Sequence, residues 1–261
     1  MDAHVTSALE GGVLELRIDR PEKKNALTRP MYAALANALV AAADNPAVRC
    51  VLLCGSGDGF CAGNDLADFV SGAPPLGEDS PSRRFLRAIS THPKPIVAAV
   101  QGAAVGIGTT MLLHCDLVVL AEGTRLSLPF VKLGLVPEAA SSLLLPRLAG
   151  HQRAAEMVLL GEPIDAATAR EIGLANRVVP EAALMETARE LAGKLAAQAP
   201  TALRLTKALL KSATTGVAER MDEEGQHFTA QLQSAEFKKA VAAFFEKRRP
   251  DFSGPDFSKP G

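Results

Sequence analysis

The sequence predicts an α/β fold, because strand-like and helix-like segments alternate along it. Residues 95–101 form an apolar, β-branched run bounded by Pro and Gly, which is typical of a fully buried strand, and a helix-like segment follows at 109–115. Residues 13–19 alternate apolar and charged side chains, as a half-exposed strand does. The chain has 261 residues, 48% of them hydrophobic and 22% charged. It is therefore expected to bury a large core as one domain, or as a domain with an appendage.

The remaining elements are predicted from periodicity, caps and breakers. Further strands are expected at 48–54, 116–121, 125–128 and 177–179. Helices are expected at 28–43, where Thr28 can act as the N-cap, and at 137–147, 151–160, 165–172, 181–197 and from 201 onward. Residues 71–84 are rich in Gly, Pro and Ser and have no apolar period, so they are predicted to be a mobile surface loop.

Composition disfavours several functional classes. A net charge of −1, one Tyr and no Trp argue against nucleic-acid binding. Residues 95–115 carry no charge over a length that could cross a bilayer, but glycines and a glutamine interrupt them, so a membrane span is not expected. The first residues show no basic region followed by an apolar stretch, which favours the cytoplasm. The four cysteines have no metal-type spacing and are expected to be reduced core thiols.

Two glycine-rich turns, each after a predicted buried strand, are the candidate site. One spans GSGDGFCAGNDL at 55–66, and the other contains the glycines at 102, 106 and 108. Such turns leave backbone N–H groups free of intrahelical partners and can hold an oxygen that becomes negative. Glycine spacing alone is a weak signal, and turns that serve only packing remain the alternative.

Further motifs occur along the whole chain. They are RPEKKNAL at 20–27, FCAGNDL at 60–66, PKPIVAAVQGAAVGIG at 93–108, the Cys-Asp pair at 115–116 and FFEKRRPDF near the end. Together these motifs resemble the crotonase superfamily of enoyl-CoA hydratases and isomerases. The resemblance implies a ClpP-like spiral of ββα units over residues 1–198 and a helical oligomerisation region over 199–261, assembled as a homotrimer or a dimer of trimers. It also implies an acyl-CoA substrate, with no other cofactor and no metal.

The same resemblance implies roles for particular residues. The backbone N–H groups of Ala62 and Ile107 would hold the thioester oxygen. Substrate or coenzyme A contacts would come from Lys24, Ala26, Gly63, Asn64, Asp65, Leu66, Gly106, Thr110 and Phe130.

The reaction depends on which carboxylate moves a proton. Thr110 and Phe130 stand where family hydratases carry their two glutamates, so simple hydration is disfavoured. Glu138 lies in LGLVPEAASS, which resembles the segment of peroxisomal-type Δ3,Δ2-enoyl-CoA isomerases that contains the catalytic base. One carboxylate suffices for a 1,3-proton shift, so Δ3,Δ2 isomerisation is the leading hypothesis. Glu138 as a mere acid in the first turn of a helix is the structural alternative. The functional alternatives are a hydratase, another crotonase reaction and a catalytically silent acyl-CoA-binding module.

Other polar residues are expected to be structural. Asp65 is predicted to cap the helix that follows it, and Asp116 to accept structural hydrogen bonds. Thr110 is expected to hydrogen-bond its own helix, and His92 and His114 to be packed or solvated without a metal.

Overall fold

The main sheet has six strands and passes through the middle of the protein. The computed structural model describes residues 3–67, 80–198, 200–212 and 216–248. In spatial order the strands are β1 (Val5–Glu10), β2 (Val13–Ile18), β3 (Cys50–Gly55), β4 (Ile96–Val100), β6 (Leu117–Ala121) and β9 (Arg177–Val179). The β1–β2 pair is antiparallel and all the other neighbours are parallel. A second sheet contains β5 (Ala103–Val105), β7 (Arg125–Ser127) and β8 (Ile164–Asp165).

Helices connect and cover the strands. The first ones are α1 (Arg29–Asp44), α2 (Pro81–Ser90) and α3 (Ile107–Thr110), which continues as a 3₁₀ turn at Met111–His114. The later ones are α4 (Ser141–Ala149), α5 (His151–Ala155), which continues as a π-helical turn at Glu156–Leu160, α6 (Ala166–Glu171), α7 (Leu184–Ala196), α8 (Pro200–Ser212), α9 (Val217–Leu232) and α10 (Ala235–Phe245). Short 3₁₀ turns lie at Pro21–Lys23, Val131–Leu133 and Glu181–Ala183.

The central strands are buried on both faces. In β3, Val51 and Leu53 pack into the larger apolar cluster, which includes residues of α1 and α2. Cys50, Leu52 and Cys54 alternate with them and pack into a second cluster with α7. Because side chains alternate between the faces of a strand, a sheet covered by helices on both sides needs a continuous apolar run.

Most of the predicted elements are present, and several observed ones differ from the prediction. The strands β1, β5 and β8 were not predicted, since β1 has a single buried residue and β5 and β8 have three and two residues. Ser80 caps α2 by accepting a hydrogen bond from the Arg83 N–H, so residues 81–84 are helical rather than part of a loop. The rest of that predicted loop, up to residue 79, lies outside the described residues. The helix predicted from Pro137 begins only at Ser141.

The C-terminal helices pack on the same core as the sheet. Phe228, Phe237 and Val241 belong to the larger apolar cluster. From α8, the buried Lys207 Nζ donates to Asp116 Oδ2 at 2.6 Å and to the Lys94 carbonyl at 2.7 Å. Asp116 Oδ2 also accepts from the Ile96 N–H at 2.7 Å, which confirms its structural role. An oligomerisation role for residues 199–261 stays a prediction.

Among the helices in the described ranges, none combines the length and the apolar character that crossing a bilayer would require.

The ion pair between buried Lys207 and half-buried Asp116 gives a prediction about stability. Lys207→Met should lower the free energy of unfolding by about 2–3 kcal/mol, because Asp116 and the Lys94 carbonyl would both lose the ammonium group that they bind. Urea denaturation monitored by circular dichroism measures this loss. Lys194→Met is the matched control, since Lys194 pairs with Glu190 on an exposed face and should cost less than about 0.5 kcal/mol. Equal losses in the two variants would contradict the anchoring role of Lys207.

Candidate active site

The first glycine turn uses several of its N–H groups within the protein. Phe60 and Cys61 both donate to the Ala103 carbonyl at 3.1 Å. The Ala62 N–H donates to the Lys24 carbonyl at 2.9 Å, and the Asp65 N–H to the Leu27 carbonyl at 2.9 Å. The predicted role of Ala62 as an oxyanion donor is therefore wrong for this structure, because its N–H is already engaged.

The N–H of Asn64 is one of the donors that this turn leaves available. Within the described residues, neither Gly63 nor Asn64 donates its backbone N–H to another group. The Gly63 carbonyl accepts from the Leu27 N–H at 2.8 Å. In a trans peptide the carbonyl and the following N–H point in opposite directions, so the Asn64 N–H points away from Leu27.

The second glycine turn presents an N–H in the same way. The Gly106 carbonyl accepts from the Thr109 and Thr110 N–H groups, both at 2.9 Å, and thus points into α3. The N–H of Ile107, in the same peptide group, points out of the start of that helix. Gly106 has a φ of 54° and a ψ of −117°, a conformation that suits glycine.

The two turns are in direct contact. The Val105 N–H donates to the Cys61 carbonyl at 2.9 Å. A Cβ atom at Gly108 would lie 2.3 Å from that carbonyl oxygen, and one at Gly63 would lie 3.1 Å from the Val105 carbonyl oxygen. Only glycine at 108 permits this approach, which brings the first and second glycine turns into contact.

The loop at 20–27 fixes the first turn from the other side. Asn25 is completely buried, with a left-handed φ of 59°. Its Nδ2 donates to the carbonyls of Ser56 at 2.8 Å and Gly59 at 2.7 Å, and its Oδ1 accepts from the Arg20 N–H at 2.8 Å. This side chain therefore ties the loop to the residues that lead into the turn.

Six of the residues expected to contact the substrate or coenzyme A lie on the same loop and turn, and Gly106, Thr110 and Phe130 lie elsewhere. Lys24 is exposed and also left-handed, with a φ of 50°. Ala26 and Leu66 are half-buried. Asp65 accepts from the Ala67 N–H at 3.0 Å, as predicted for a cap, and forms an ion pair with Arg20 at 2.7 Å that sequence reasoning missed.

Tyr32 lies beside this turn and was not predicted as a site residue. Its hydroxyl donates to Asn64 Oδ1 at 2.5 Å, and its ring packs against Phe85 with centroids 5.6 Å apart. Burial raises its pKa well above the usual value, and the charge of Glu138 adds to that shift. One signal was available in the sequence, because Tyr32 is the only tyrosine of the chain.

Glu138 is half-buried, and its charge acts on residues of and beside the first glycine turn. Its Oε1 atom is buried. Burial raises the pKa of Cys61 to about 12, and the Glu138 charge contributes to this shift as it does for Tyr32. The Glu138 carboxyl group therefore contributes to the electrostatic surroundings of Cys61 and of Tyr32, the partner of Asn64. The alternative of an acid in the first helical turn is wrong, because α4 begins at Ser141.

The two positions that lack glutamates are buried. Phe130 is 4% exposed and Thr110 is fully buried. The predicted bond from Thr110 to its own helix is wrong, since Oγ1 has no hydrogen-bond partner among the described residues. Neither side chain can hold or move a proton as a carboxylate does.

The remaining candidates are buried and show no metal chemistry. Within the described ranges, no three His, Cys, Asp or Glu residues form a group that could hold a metal ion. All four cysteines are free, and burial raises the pKa of each to about 12. His92 and His114 are both 3% exposed, which confirms that they are packed.

Known proteins resemble this chain in sequence and in structure over nearly its whole length. It is 38% identical over 259 residues to 1,2-epoxyphenylacetyl-CoA isomerase of Escherichia coli K12, covering 96% of this chain and 98% of the relative. It is 35% identical to 2,3-dehydroadipyl-CoA hydratase of the same organism, over 93% and 95% of the two chains. The structure of Pseudomonas aeruginosa OdaA superimposes with a TM-score of 0.90 at 46% identity, covering 93% of this chain and 99% of the other.

These similarities establish a crotonase-type α/β fold. An enoyl-CoA hydratase/isomerase from Pseudoalteromonas atlantica T6c superimposes with a TM-score of 0.92 at 45% identity, over 96% of this chain and 100% of the other. Residues 8–255 match the Enoyl-CoA hydratase/isomerase family. The chain belongs to this family of acyl-CoA enzymes. Its relatives include hydratases and isomerases, so membership alone does not select the reaction.

The three hydrogen bonds of Asn25 give a prediction for the site. Asn25→Ala should lower the free energy of unfolding by about 3 kcal/mol, because two carbonyls and one N–H would lose their buried partner. Asn45→Ala is the control, since exposed Asn45 makes one side-chain bond, to the Ala47 N–H at 3.0 Å, and should cost less than about 1 kcal/mol. Chemical denaturation of both variants tests this difference. Similar losses would show that Asn25 does not tie the loop to the turn.

Proposed function

We propose that this protein is a Δ3,Δ2-enoyl-CoA isomerase that moves the double bond of a 3-enoyl-CoA ester to the 2-position. The observation that supports the proposal is that the charge of Glu138 acts on Cys61 of the first glycine turn and on Tyr32, the hydrogen-bond partner of Asn64. The two positions where family hydratases carry glutamates hold Thr110 and Phe130. A single carboxylate at such a site fits a proton shift better than the addition of water.

In the first step, the Glu138 carboxylate removes a proton from C2 of the substrate. The electron pair moves into the thioester, and negative charge develops on the carbonyl oxygen. In this proposal the N–H groups of Asn64 and Ile107 donate to that oxygen. Donors held in place before the reaction stabilise this charge without reorganising, and each typically contributes about 3 kcal/mol to lowering the barrier.

In the second step, the protonated Glu138 returns the same proton to C4. The C3–C4 double bond is consumed, the C2–C3 double bond forms, and the thioester carbonyl is restored. Glu138 ends as a carboxylate, so the cycle closes with one acid–base group. No further cofactor is required, because coenzyme A enters as part of the substrate.

The relatives support an isomerase without fixing its substrate. The Escherichia coli relative named 1,2-epoxyphenylacetyl-CoA isomerase also rearranges an acyl-CoA ester. A hydratase is the second candidate, since 2,3-dehydroadipyl-CoA hydratase is similar over nearly the whole chain. We further propose a cytoplasmic homotrimer or dimer of trimers, in which exposed Lys24 contributes to binding the coenzyme A phosphates.

Replacing the proposed base separates catalysis from binding. Glu138→Gln should lower kcat on 3-hexenoyl-CoA by about 10³-fold, since general base catalysis typically contributes 10²- to 10⁴-fold. The dissociation constant for hexanoyl-CoA, measured by calorimetry, should change less than about threefold, because Gln keeps the shape of Glu. Proton NMR of the vinyl region follows the 2-enoyl product and would also reveal any 3-hydroxyacyl ester.

Exposed Glu156 provides the matched control for this substitution. Glu156→Gln should retain the turnover of the unmodified enzyme, since this side chain lies on the surface. Unchanged turnover in Glu138→Gln would exclude Glu138 as the base. Accumulation of 3-hydroxyacyl-CoA by the unmodified enzyme would favour the hydratase.

A further inference from the structure

The backbone that follows Glu138 adopts an unfavourable conformation. Ala139 and Ala140 both lie in the left-handed region, with φ values of 57° and 54°. A residue other than glycine in this region costs on the order of 1–2 kcal/mol, so two in succession need support from the surrounding structure. This pair sets the direction in which the chain leaves Glu138 before α4 begins.

His114 supplies support from outside this loop. Its Nε2 lies 2.9 Å from the Ala139 carbonyl oxygen, and its side chain is 3% exposed. A carbonyl oxygen only accepts hydrogen bonds, so Nε2 carries the hydrogen. Burial lowers the pKa of His114 to about 4, and the ring is therefore neutral near pH 7.

A second set of bonds holds the preceding peptide group. The Glu138 carbonyl accepts from the Ser141 N–H at 3.0 Å and from Ser141 Oγ at 2.7 Å. These bonds lie within the loop and shape it locally. The bond from His114 instead joins the loop to a different element, so it fixes where the loop sits.

That element also carries the proposed oxyanion donor. Ile107 opens α3, and the 3₁₀ turn that continues α3 ends at His114. One short helical segment therefore carries the Ile107 N–H at its beginning and is hydrogen-bonded to the Glu138 loop at its end. The His114 carbonyl in turn accepts from Lys211 Nζ of α8 at 3.2 Å, which secures the end of the segment.

We infer that His114 is a positioning residue that sets the distance between the Glu138 carboxylate and the oxyanion donor of Ile107. It does so through its hydrogen bond to the Ala139 carbonyl, without touching the substrate. The inference rests on the proposed role of Glu138 as base. A displacement of a catalytic group by about 1 Å can reduce a rate by about 10²-fold, so a single bond at this place has a large effect.

Two variants at position 114 separate the hydrogen bond from packing. One removes the N–H donor and keeps a ring, and the other keeps an N–H donor. His114→Phe should lower kcat on 3-hexenoyl-CoA by about 10- to 100-fold, with KM changed less than threefold. His114→Gln keeps an N–H donor and should recover most of that loss. A role in packing alone would not produce this split between kcat and KM, nor the rescue by Gln.

His92 is the matched control. It has the same 3% exposure, burial lowers its pKa to about 3, and its Nε2 has no hydrogen-bond partner among the described residues. His92→Phe therefore removes a buried imidazole without removing a bond to the Glu138 loop. Its kcat should stay within twofold of the unmodified enzyme. A loss as large as that of His114→Phe would overturn the inference.

Amide hydrogen exchange tests the positioning without any turnover. In His114→Phe, the peptide covering residues 136–145 should exchange at least fivefold faster by mass spectrometry, and in His92→Phe it should not. If the unmodified enzyme fails to isomerise the substrate but this difference appears, the proposed reaction is wrong while the support of the loop by His114 stands. Unchanged exchange in His114→Phe, or unchanged kcat in an active enzyme, would overturn the positioning role.

Discussion

The site depends on the close approach of Gly108 to the Cys61 carbonyl. A Cβ atom at 108 would lie 2.3 Å from that oxygen, which is much shorter than the closest approach of two non-bonded atoms. A second close approach lies upstream, where a Cβ atom at Gly102 would be 1.9 Å from the Asp58 carbonyl oxygen. These contacts dock the turn after β4 onto the turn after β3. Because β3 and β4 are adjacent and parallel, both turns leave the same edge of the sheet.

This docking also explains how the donors are oriented. The hydrogen bonds around the first turn alternate in direction, with the Ala62 N–H pointing to Lys24 and the Gly63 carbonyl pointing to Leu27. The Asn64 N–H is left facing away from Leu27, while the Gly106 carbonyl, drawn into α3, turns the Ile107 N–H outward. The available donors thus follow from where the neighbouring peptide groups are bonded. The side chains of Asn64 and Ile107 have little influence on the orientation of these N–H groups.

The fold was largely predictable because its central strands are covered on both faces. The runs that became β3, β4 and β6 are apolar without interruption, and such runs stand out in a sequence. β1 gave no such signal, because it lies at the sheet edge with five of six residues exposed. The start of α4 was misplaced because Pro137 and Glu138 form a good helix-opening pair, whereas the structure places two left-handed alanines after them.

The site was predicted less completely than the fold. Motifs pointed to the two turns and to Ile107 and Glu138 as candidates, but not to which N–H groups of the first turn are left without a partner in the described residues. Ala62 and Asn64 are two residues apart and belong to the same motif, and only the bond from Ala62 to Lys24 distinguishes them. Tyr32 and His114 act through partners that are distant in the sequence, at 64 and 139, and no local pattern reveals such contacts.

Backbone donors and a side-chain base respond differently to sequence change. The proposed oxyanion donors are fixed by glycine contacts and peptide orientation, so they are expected to persist when neighbouring side chains vary. The carboxylate is a side chain, and it can be gained or lost at one position without disturbing those contacts. In this chain Thr110 and Phe130 fill two such positions with groups that do not titrate, and Glu138 supplies a carboxylate from a different loop. In the proposed mechanism, the reaction is determined by where the carboxylate lies relative to fixed donors, which makes the support of the Glu138 loop as important as the glutamate itself.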